Sequence, residues 1–360
     1  MNPKLRSNIS KVAVITVAFM FISWFLVYYN YSLLYSSWSK GPAEQFSLWW
    51  FLFANTLIGF IAGIFGGSAL VFVNSTYFRK RSFGFALLST FIAFSVVFLF
   101  VSVIMPSVMV IVSLDETIDF SSALGKAYGD TVTEVLIANY ILWLVITLNT
   151  QFILQINDKF GPGILFKFIT GKYHQPREEQ RIFMFMDMKS STTIAEKLGN
   201  KKYFNMLQEV IGDITDDIIL NRGEIYQYVG DEVVISWSIK NGTYMANFVN
   251  CFMDVQKKLK DLAPVYMDKY GLSPEFKAGI HCGMVTAGEI GSIKKDIVYS
   301  GDVLNTASRI QNQCNTHGVN LLMSEQSLNL VKSELKYETL YLGEIELKGK
   351  EEKLSLVSLK

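Results

Sequence analysis

Residues 224–237, EIYQYVGDEVVISW, predict the β-hairpin around which the second half of the chain is organised. Two apolar, strand-like runs, Glu224 to Val229 and Val233 to Trp237, are separated by Gly230-Asp231-Glu232. Glycine and aspartate between two such runs favour a tight turn, so the two strands are expected to pair directly.

The segments on either side of the hairpin extend it into a longer pattern. A short apolar run and a helical stretch precede it, and a second helical stretch, with a kink expected at Pro264, leads into another strand. These flanking elements span 182–188, 192–220, 244–270 and 276–281. The order βαββαβ predicts an α+β domain with the ferredoxin-like split arrangement.

Two aspartates occupy positions that this arrangement brings close together. Asp187 interrupts the apolar first strand and Asp231 stands in the hairpin turn, and these two elements are neighbours in such a sheet. A carboxylate in an apolar strand needs a partner, and paired carboxylates at an exposed rim suit Mg²⁺, which takes oxygen ligands. Taken singly, Asp231 as a turn residue and Asp187 as a helix cap remain alternatives.

A second polar cluster lies in the stretch from Gly301 to Arg309, GDVLNTASR. Asp302 can cap a helix there, and Asn305 and Arg309, four residues apart, would share one helical face. A solvated amphipathic helix explains this stretch equally well when it is taken alone. Together with the two upstream aspartates, the amide and the guanidinium indicate chemistry on a nucleotide.

The first half of the chain is far more apolar than the second. Half of the 360 residues are apolar and the mean hydropathy is +0.28. Four segments reach the ~20 residues needed to cross about 30 Å of hydrocarbon, and their length and number exclude a signal peptide for the first. These predicted spans are Val12 to Leu34, Leu48 to Val73, Phe83 to Met105 and Val132 to Ile156.

The charges that flank these segments predict their orientation. Lys4, Arg6 and Lys11 precede the first span, and a basic triplet, residues 79–81, separates the second from the third, whereas the other two loops carry mainly acidic residues. By the positive-inside bias, both termini and the second half of the chain are cytoplasmic and the protein spans the plasma (inner) membrane.

Glycines recur every four residues in the second predicted span. Gly59, Gly63 and Gly67 would let a second helix backbone approach closely. Packing within one helix bundle and contact between two subunits are both compatible with this pattern.

The composition divides the chain into a membrane domain (1–156), a linker (157–180) that contains Gly161-Pro162-Gly163, and a soluble domain (181–360). The net charge of +1 gives no reason to expect a nucleic acid partner. The three cysteines and three histidines show no zinc-ligand spacing.

Four motifs of the soluble domain resemble those of the class III nucleotidyl cyclases, in the same order and at matching spacing. The motifs are Phe185 to Thr192, Gly230-Asp231-Glu232, Gly279 to Gly283 and Gly301 to Arg309. A P-loop or kinase alternative is excluded because neither GxxxxGK[ST] nor a strand-linked GxGxxG is present.

The resemblance implies a role for several of these residues. Asp187 and Asp231, helped by the backbone carbonyl of Met188, would hold two Mg²⁺ ions per site, with Mn²⁺ as a substitute. Asn305 would orient the ribose, and Arg309 would stabilise charge on the α-phosphate while the 3′-hydroxyl attacks it. The backbone amides at the predicted helix start would donate to phosphate oxygens; they belong to Lys189, Ser190, Ser191 and Thr192.

One further phosphate contact is implied at Lys348, which resembles the family's terminal phosphate lysine. A solvated charge at a strand end is the alternative. The resemblance also implies a homodimer in which each site takes its aspartates from one subunit and its Asn/Arg pair from the other. This chain carries both halves, so two sites per dimer are expected.

The choice of base is where the sequence departs from the family patterns. Gln227 stands where adenylyl cyclases have lysine and guanylyl cyclases have glutamate, and Val298 stands where an Asp or Thr is usual in adenylyl cyclases. Gln227 can donate and accept hydrogen bonds, so it is compatible with several bases. ATP is expected because bacterial-looking members of this family usually use it; a guanylate or pyrimidine cyclase, or a degenerate nucleotide-binding module of a membrane receptor, are the alternatives.

Overall fold

The computed structural model describes residues 3–37, 48–78, 81–100, 132–161, 164–346 and 353–359. The chain divides into two compact units, residues 1–160 and residues 161–360. The two units are described separately.

The first unit is helical, with helices α1 Pro3–Ser37, α2 Leu48–Thr76, α3 Phe83–Leu99 and α4 Val132–Phe160. Three of them contain a stretch long and apolar enough to cross a membrane: Asn8–Leu26, Gly59–Thr76 and Ile137–Lys159. Helix α3 has 17 residues, fewer than the ~20 that a span needs, and the predicted span from Phe83 to Met105 runs beyond residue 100 into residues outside the described ranges. Three spans are therefore supported, and the fourth stays a prediction.

The glycine repeat of α2 packs against α1 of the same chain. A Cβ at Gly59 would lie 2.5 Å from the Oγ of Ser23, and one at Gly63 would lie 2.5 Å from the Cα of Thr16. Both distances are too short for a real contact, so only glycine permits this approach of the two backbones. Of the two readings of the repeat, the structure shows packing within one bundle.

The second unit contains seven α-helices, one 3-10 helix (Tyr244–Ala246) and eight strands among its described residues. Its helices are α5 Ile164–Ile169, α6 Ser191–Leu198, α7 Asn200–Leu220, α8 Ile239–Thr243, α9 Asn247–Tyr270, α10 Asp302–His317 and α11 Glu325–Asn329. Its strands are β1 Arg177–Met188, β2 Glu224–Val229, β3 Glu232–Ser238, β4 Phe276–Ile290, β5 Asp296–Ser300, β6 Leu321–Ser324, β7 Thr339–Ile345 and β8 Leu354–Leu359.

The sheet has the order β2-β3-β1-β4-β6-β8-β7, with β5 paired to β4. Strand β1 is antiparallel to both β3 and β4, and β2 is antiparallel to β3. The first four strands therefore have the order and directions of the predicted ferredoxin-like arrangement, and the remaining strands extend the sheet beyond it.

Both faces of β1 are covered, which explains its continuous apolar sequence. Met184 and Met186 point into the main core, where α7 and α9 pack. Phe183 points to the opposite face, where it meets Tyr299 and Ala307 in a second apolar cluster. Successive side chains of a strand alternate between faces, so Asp187 lies on the same face as Phe183.

Three elements differ from the sequence predictions. The single helix predicted over 192–220 is two helices, because Gly199 adopts a φ of +73° between α6 and α7. Helix α9 begins at residue 247, whereas a start at about residue 244 is predicted; Pro264 lies inside it, and the kink expected there stays a prediction. Residues 164–180 of the predicted linker form α5 and the start of β1, and Tyr173 between them is fully buried.

The contact between α1 and α2 predicts opposite effects for two alanine substitutions. Gly63→Ala places a methyl group against the backbone of Thr16, and we expect it to destabilise the first unit by about 1–3 kcal/mol, as overpacking does. Gly66→Ala is the matched control, since a Cβ there meets nothing within 4 Å; we expect it to be neutral or stabilising, because alanine favours helix more than glycine.

Thermal unfolding of the full-length protein in detergent micelles measures both variants. Equal melting temperatures for the two would contradict the close approach of α1 and α2.

Candidate active site

The structure brings Asp187 and Asp231 together at one end of the sheet. The pairing of β1 with β3 runs up to Met186 and Val233, so Asp187 follows the last pair and faces the turn between β2 and β3. Gly230, with a φ of +64°, forms that turn together with Asp231. The two carboxylates are close enough to interact electrostatically. Burial and the neighbouring charge of Asp231 therefore raise the pKa of Asp187.

Two buried side chains hold one oxygen of Asp187. The Nε2 of Gln311 donates to its Oδ2 over 3.1 Å, and the Nζ of Lys277 lies 3.4 Å from the same atom. Lys277 is 8% exposed and Gln311 2% exposed, so both are fixed by the packing around them. The Lys277 charge counteracts the rise in the pKa of Asp187.

Sequence reasoning missed both partners. One feature of the sequence indicates Lys277, since a lysine is unusual inside the apolar strand FKAGIHC. The strand register places it directly opposite Asp187. No local pattern indicates Gln311, because its contact with Asp187 depends on how α10 packs on the sheet.

The carboxylate of Asp231 is incompletely satisfied. Its Oδ2 is buried and has no hydrogen-bond partner among the described residues. A buried, unpaired carboxylate oxygen is costly, and a hard cation that prefers oxygen ligands would satisfy it. These residues therefore fit a divalent metal ion.

The protein supplies only part of a coordination sphere. Among the described residues no group of three His, Cys, Asp or Glu side chains is arranged to hold a metal. Mg²⁺ is commonly held by one or two carboxylates together with substrate phosphates and water, and Asp187 and Asp231 match that type of site. The side chain of Met188 is 1% exposed, so this residue can contribute only through its backbone.

Glu232 is a third acid at this end of the sheet, and sequence reasoning did not select it. Burial and the charges of Asp187 and Asp231 raise its pKa from 4.5 to about 7. The site is thus acidic enough to hold one carboxyl group near its protonation midpoint at neutral pH. A third acid beside the two predicted metal ligands strengthens the attraction for a cation.

The turn after β1 carries the predicted phosphate donors. The backbone amide of Lys189 donates to the carbonyl of Glu275 over 2.9 Å, and its Nζ pairs with the Glu275 carboxylate at 3.1 Å. Both polar groups of Lys189 thus contact Glu275, the residue before β4. Ser190, Ser191 and Thr192 lead into α6. Ser190 adopts a φ of +54° without a side-chain cap, and Ser191 is the first residue of that helix.

Helix α10 lies directly on β4 because of Gly279. A Cβ there would be 2.2 Å from the backbone nitrogen of Gln311, so any other residue would push the helix away. Asn305 is exposed and Arg309 half-buried, while Gln311 faces Asp187. At 3.6 residues per turn, Arg309 points about 160° and Asn305 about 120° away from Gln311 around the helix. Asn305 and Arg309 therefore lie on a different side of α10 from Gln311, the residue that contacts Asp187.

The two predicted base-contacting residues lie on strands that are not paired with each other. Gln227 is exposed on β2, and Val298 is half-buried on β5 opposite Gly288 of β4. Lys348 lies outside the described residues.

The raised pKa of Glu232 predicts a pH-dependent stability. Between pH 4.5 and about 7 the folded protein keeps a proton on Glu232 that the unfolded chain has lost, so stability falls as the pH rises through this range and the full cost is present above pH 7. Glu232→Gln removes this cost. In metal-free buffer we expect its melting temperature to match that of the wild type near pH 5 and to exceed it at pH 8.

Glu338→Gln, at an exposed position of the same unit, is the control and should not show this pH dependence. A difference between Glu232→Gln and the wild type that stays constant from pH 5 to pH 8 would argue against a raised pKa.

Comparison with known proteins gives the same result as the motifs. The family model described as "Adenylate and Guanylate cyclase catalytic domain" matches residues 173–359. The protein called adenylate cyclase 2 of Rhizobium meliloti (strain 1021) is 31% identical over 208 residues, which are 58% of this chain and 57% of that protein. The receptor-type guanylate cyclase gcy-6 of Caenorhabditis elegans is 28% identical over 171 residues, 46% of this chain and 15% of that protein.

A solved structure shares the fold. A bacterial light-regulated adenylyl cyclase superposes with a TM-score of 0.52 at 18% identity, over 64% of this chain and 67% of that one. The chain spans 57% or less of the length of these two curated relatives. Since the family model covers more than half of the sequence, the chain belongs to the adenylate and guanylate cyclase catalytic domain family, as its motifs indicated.

Proposed function

We propose that this protein is a membrane-bound class III adenylate cyclase that converts ATP into cyclic AMP and pyrophosphate for intracellular signalling. The observation that carries the proposal is the pair of half-buried carboxylates, Asp187 and Asp231, since one Asp231 oxygen is buried and unsatisfied among the described residues. A site that attracts a divalent cation beside a helix start suits a triphosphate. The adenylate cyclase of Rhizobium meliloti among the relatives supports ATP as the substrate.

The reaction forms one P–O bond and breaks two bonds, a P–O bond and the O–H bond of the ribose 3′-hydroxyl, whose proton passes to solvent. The ribose 3′-oxygen bonds to the α-phosphorus, the bond from that phosphorus to the bridging oxygen breaks, and pyrophosphate leaves with that oxygen. When bound, two Mg²⁺ ions would neutralise the triphosphate and lower the pKa of the 3′-hydroxyl.

The side chains of this chain contribute binding and orientation. Lys277 and Gln311 occupy the Oδ2 of Asp187, which leaves its Oδ1 for a metal ion. The guanidinium of Arg309 would stabilise the charge that develops on the α-phosphate, and the amide of Asn305 would orient the ribose. Amides at the start of α6 would bind phosphate oxygens, and Lys348 would add a positive charge to the triphosphate.

A complete site requires a second copy of the chain. Asn305 and Arg309 lie on a different side of α10 from Gln311, which contacts Asp187 of the same chain, whereas all four residues must reach one nucleotide. A symmetric homodimer satisfies this requirement and contains two sites. Anchoring in a membrane would raise the effective concentration of the catalytic domains and promote the dimer.

The first unit would act as that anchor. The three helices long enough to cross a bilayer, together with α3, are proposed to form a four-helix transmembrane domain over residues 1–156. The linker of residues 157–180 and the catalytic domain of residues 181–360 would lie in the cytoplasm, as the basic flanks at Lys4 to Lys11 favour.

Cyclisation of GTP is the second candidate function. The amide of Gln227 can pair with the edge of guanine as well as adenine, Val298 offers no side-chain hydrogen bond, and a receptor-type guanylate cyclase is among the relatives. These two residues are therefore compatible with either adenine or guanine as the base of the substrate.

Incubation of the full-length protein with each of ATP, GTP, CTP and UTP, in Mg²⁺ or Mn²⁺, tests the proposal when the cyclic products are identified by mass spectrometry. We expect cyclic AMP from ATP, and a loss of rate of more than about 100-fold in Asp231→Ala, because a metal ligand is removed. Asp261→Ala, which removes an acid from the exposed face of α9, is the matched control and should keep the wild-type rate.

Each other outcome has a defined meaning. Cyclic GMP alone would replace ATP by GTP in the proposal. Nucleotide binding without any cyclic product would overturn the enzyme and indicate a nucleotide-binding module of a membrane receptor.

A further inference from the structure

We propose that Tyr226 is a positioning residue that fixes Gln227 relative to Val298 and thereby sets which base the site accepts. This inference rests on the proposed function, in which these two residues contact the base. It concerns a residue that neither the motifs nor the geometry around the aspartates singles out.

Tyr226 is the extra residue of a β-bulge. In the pairing of β2 with β3, Ile225 lies opposite Ile235 and Gln227 lies opposite Val234, so Tyr226 has no partner in the ladder. A bulge bends its strand and redirects the side chain at the bulged position. The residue immediately after it, Gln227, takes its direction from this bend.

The redirected ring reaches a strand with which β2 is not paired. The ring centroids of Tyr226 and Tyr299 are 5.1 Å apart at 65°, an edge-to-face contact, and Phe183 of β1 lies beneath both. The Oη of Tyr226 accepts the backbone amide hydrogen of Tyr299 over 3.3 Å. Since β5 pairs with β4, and β3 and β1 lie between β2 and β4, this contact crosses the face of the sheet.

The two tyrosines are the immediate neighbours of the two predicted base contacts. Tyr226 precedes Gln227 on β2, and Tyr299 follows Val298 on β5. The hydrogen bond between Tyr226 and Tyr299 therefore fixes the distance between their neighbours, Gln227 and Val298, where a base would bind. Without that bond, one restraint on the position of the edge strand β2 relative to β5 is lost.

A second connection between the same strands runs through Arg181. Its NH2 group donates to the Oε2 of Glu224, at the start of β2, over 2.9 Å, and its guanidinium carbon lies 4.7 Å from the centre of the Tyr299 ring. Arg181 is 2% exposed, so its guanidinium is fixed by the packing around it, while the Glu224 side chain is 36% exposed. The structure thus holds β2 and β5 together at two points.

The test compares Tyr226→Phe with Tyr228→Phe. The first removes only the hydroxyl that accepts from Tyr299 and keeps the packed ring; the second removes the hydroxyl of a 48% exposed tyrosine two residues further along the same strand. The readout is base selectivity, taken as the KM of the triphosphate that turns over divided by the Ki of the competing purine triphosphate. Melting temperatures show that each variant is folded.

We expect Tyr226→Phe to change the selectivity ratio by about 3- to 10-fold, the effect of one hydrogen bond, and Tyr228→Phe to leave it within about 2-fold of the wild type. Arg181→Lys, which keeps the charge and loses the planar contact with Tyr299, should change the ratio in the same direction. An unchanged ratio in folded Tyr226→Phe, with the wild type active, would overturn this inference alone. A wild type that cyclises no triphosphate would overturn the proposed function and this inference with it.

Discussion

The repulsion between two carboxylates at the end of the sheet is the constraint on which the rest of the site depends. Asp187 is the second-last residue of β1, a strand that is covered on both faces, so it lies at this end of the sheet. Asp231 lies beside it, in the turn between β2 and β3. Lys277 and Gln311 relieve part of the repulsion by holding one oxygen of Asp187. The buried Oδ2 of Asp231 is left without a partner among the described residues, and the remaining electrostatic cost is what a divalent cation and its triphosphate would remove.

Helix α10 carries residues of the proposed site on two sides: Gln311 on one side, and Asn305 and Arg309 on the other. Its inner face lies against β4 at Gly279 and gives Gln311 to Asp187, while its outer face presents Asn305 and Arg309. In the proposed function, one helix would support a metal ligand of its own chain through Gln311 and present the nucleotide-binding pair to another chain. In the proposed homodimer, the alignment of the two copies would control the rate.

Much of this arrangement is predictable from the sequence, because it depends on local patterns. The Gly230-Asp231 turn, the alternation of elements and the cost of Asp187 in an apolar strand are all properties of a few adjacent residues. Lys277 and Gln311 were not predictable, since their roles arise from strand register and from the way a helix packs. The same holds for the Tyr226 bulge, and for the glycine repeat of α2, whose partner helix no local pattern specifies. Gly199 shows the converse, because one positive φ divides a stretch whose apolar periodicity suggested a single helix.

The central claim is that each catalytic site combines the aspartates of one chain with the Asn/Arg pair of another, and subunit complementation tests it directly. Asp231→Ala and Arg309→Ala chains would be expressed separately and together, and cyclase activity measured at equal protein. Separately, each variant forms dimers without an intact site and should be inactive. Together, half of the dimers are mixed and contain one intact site of two, so about a quarter of the wild-type activity should return in a symmetric dimer. Mixed dimers that show no more activity than either variant alone would contradict the shared site and place all four residues in one chain.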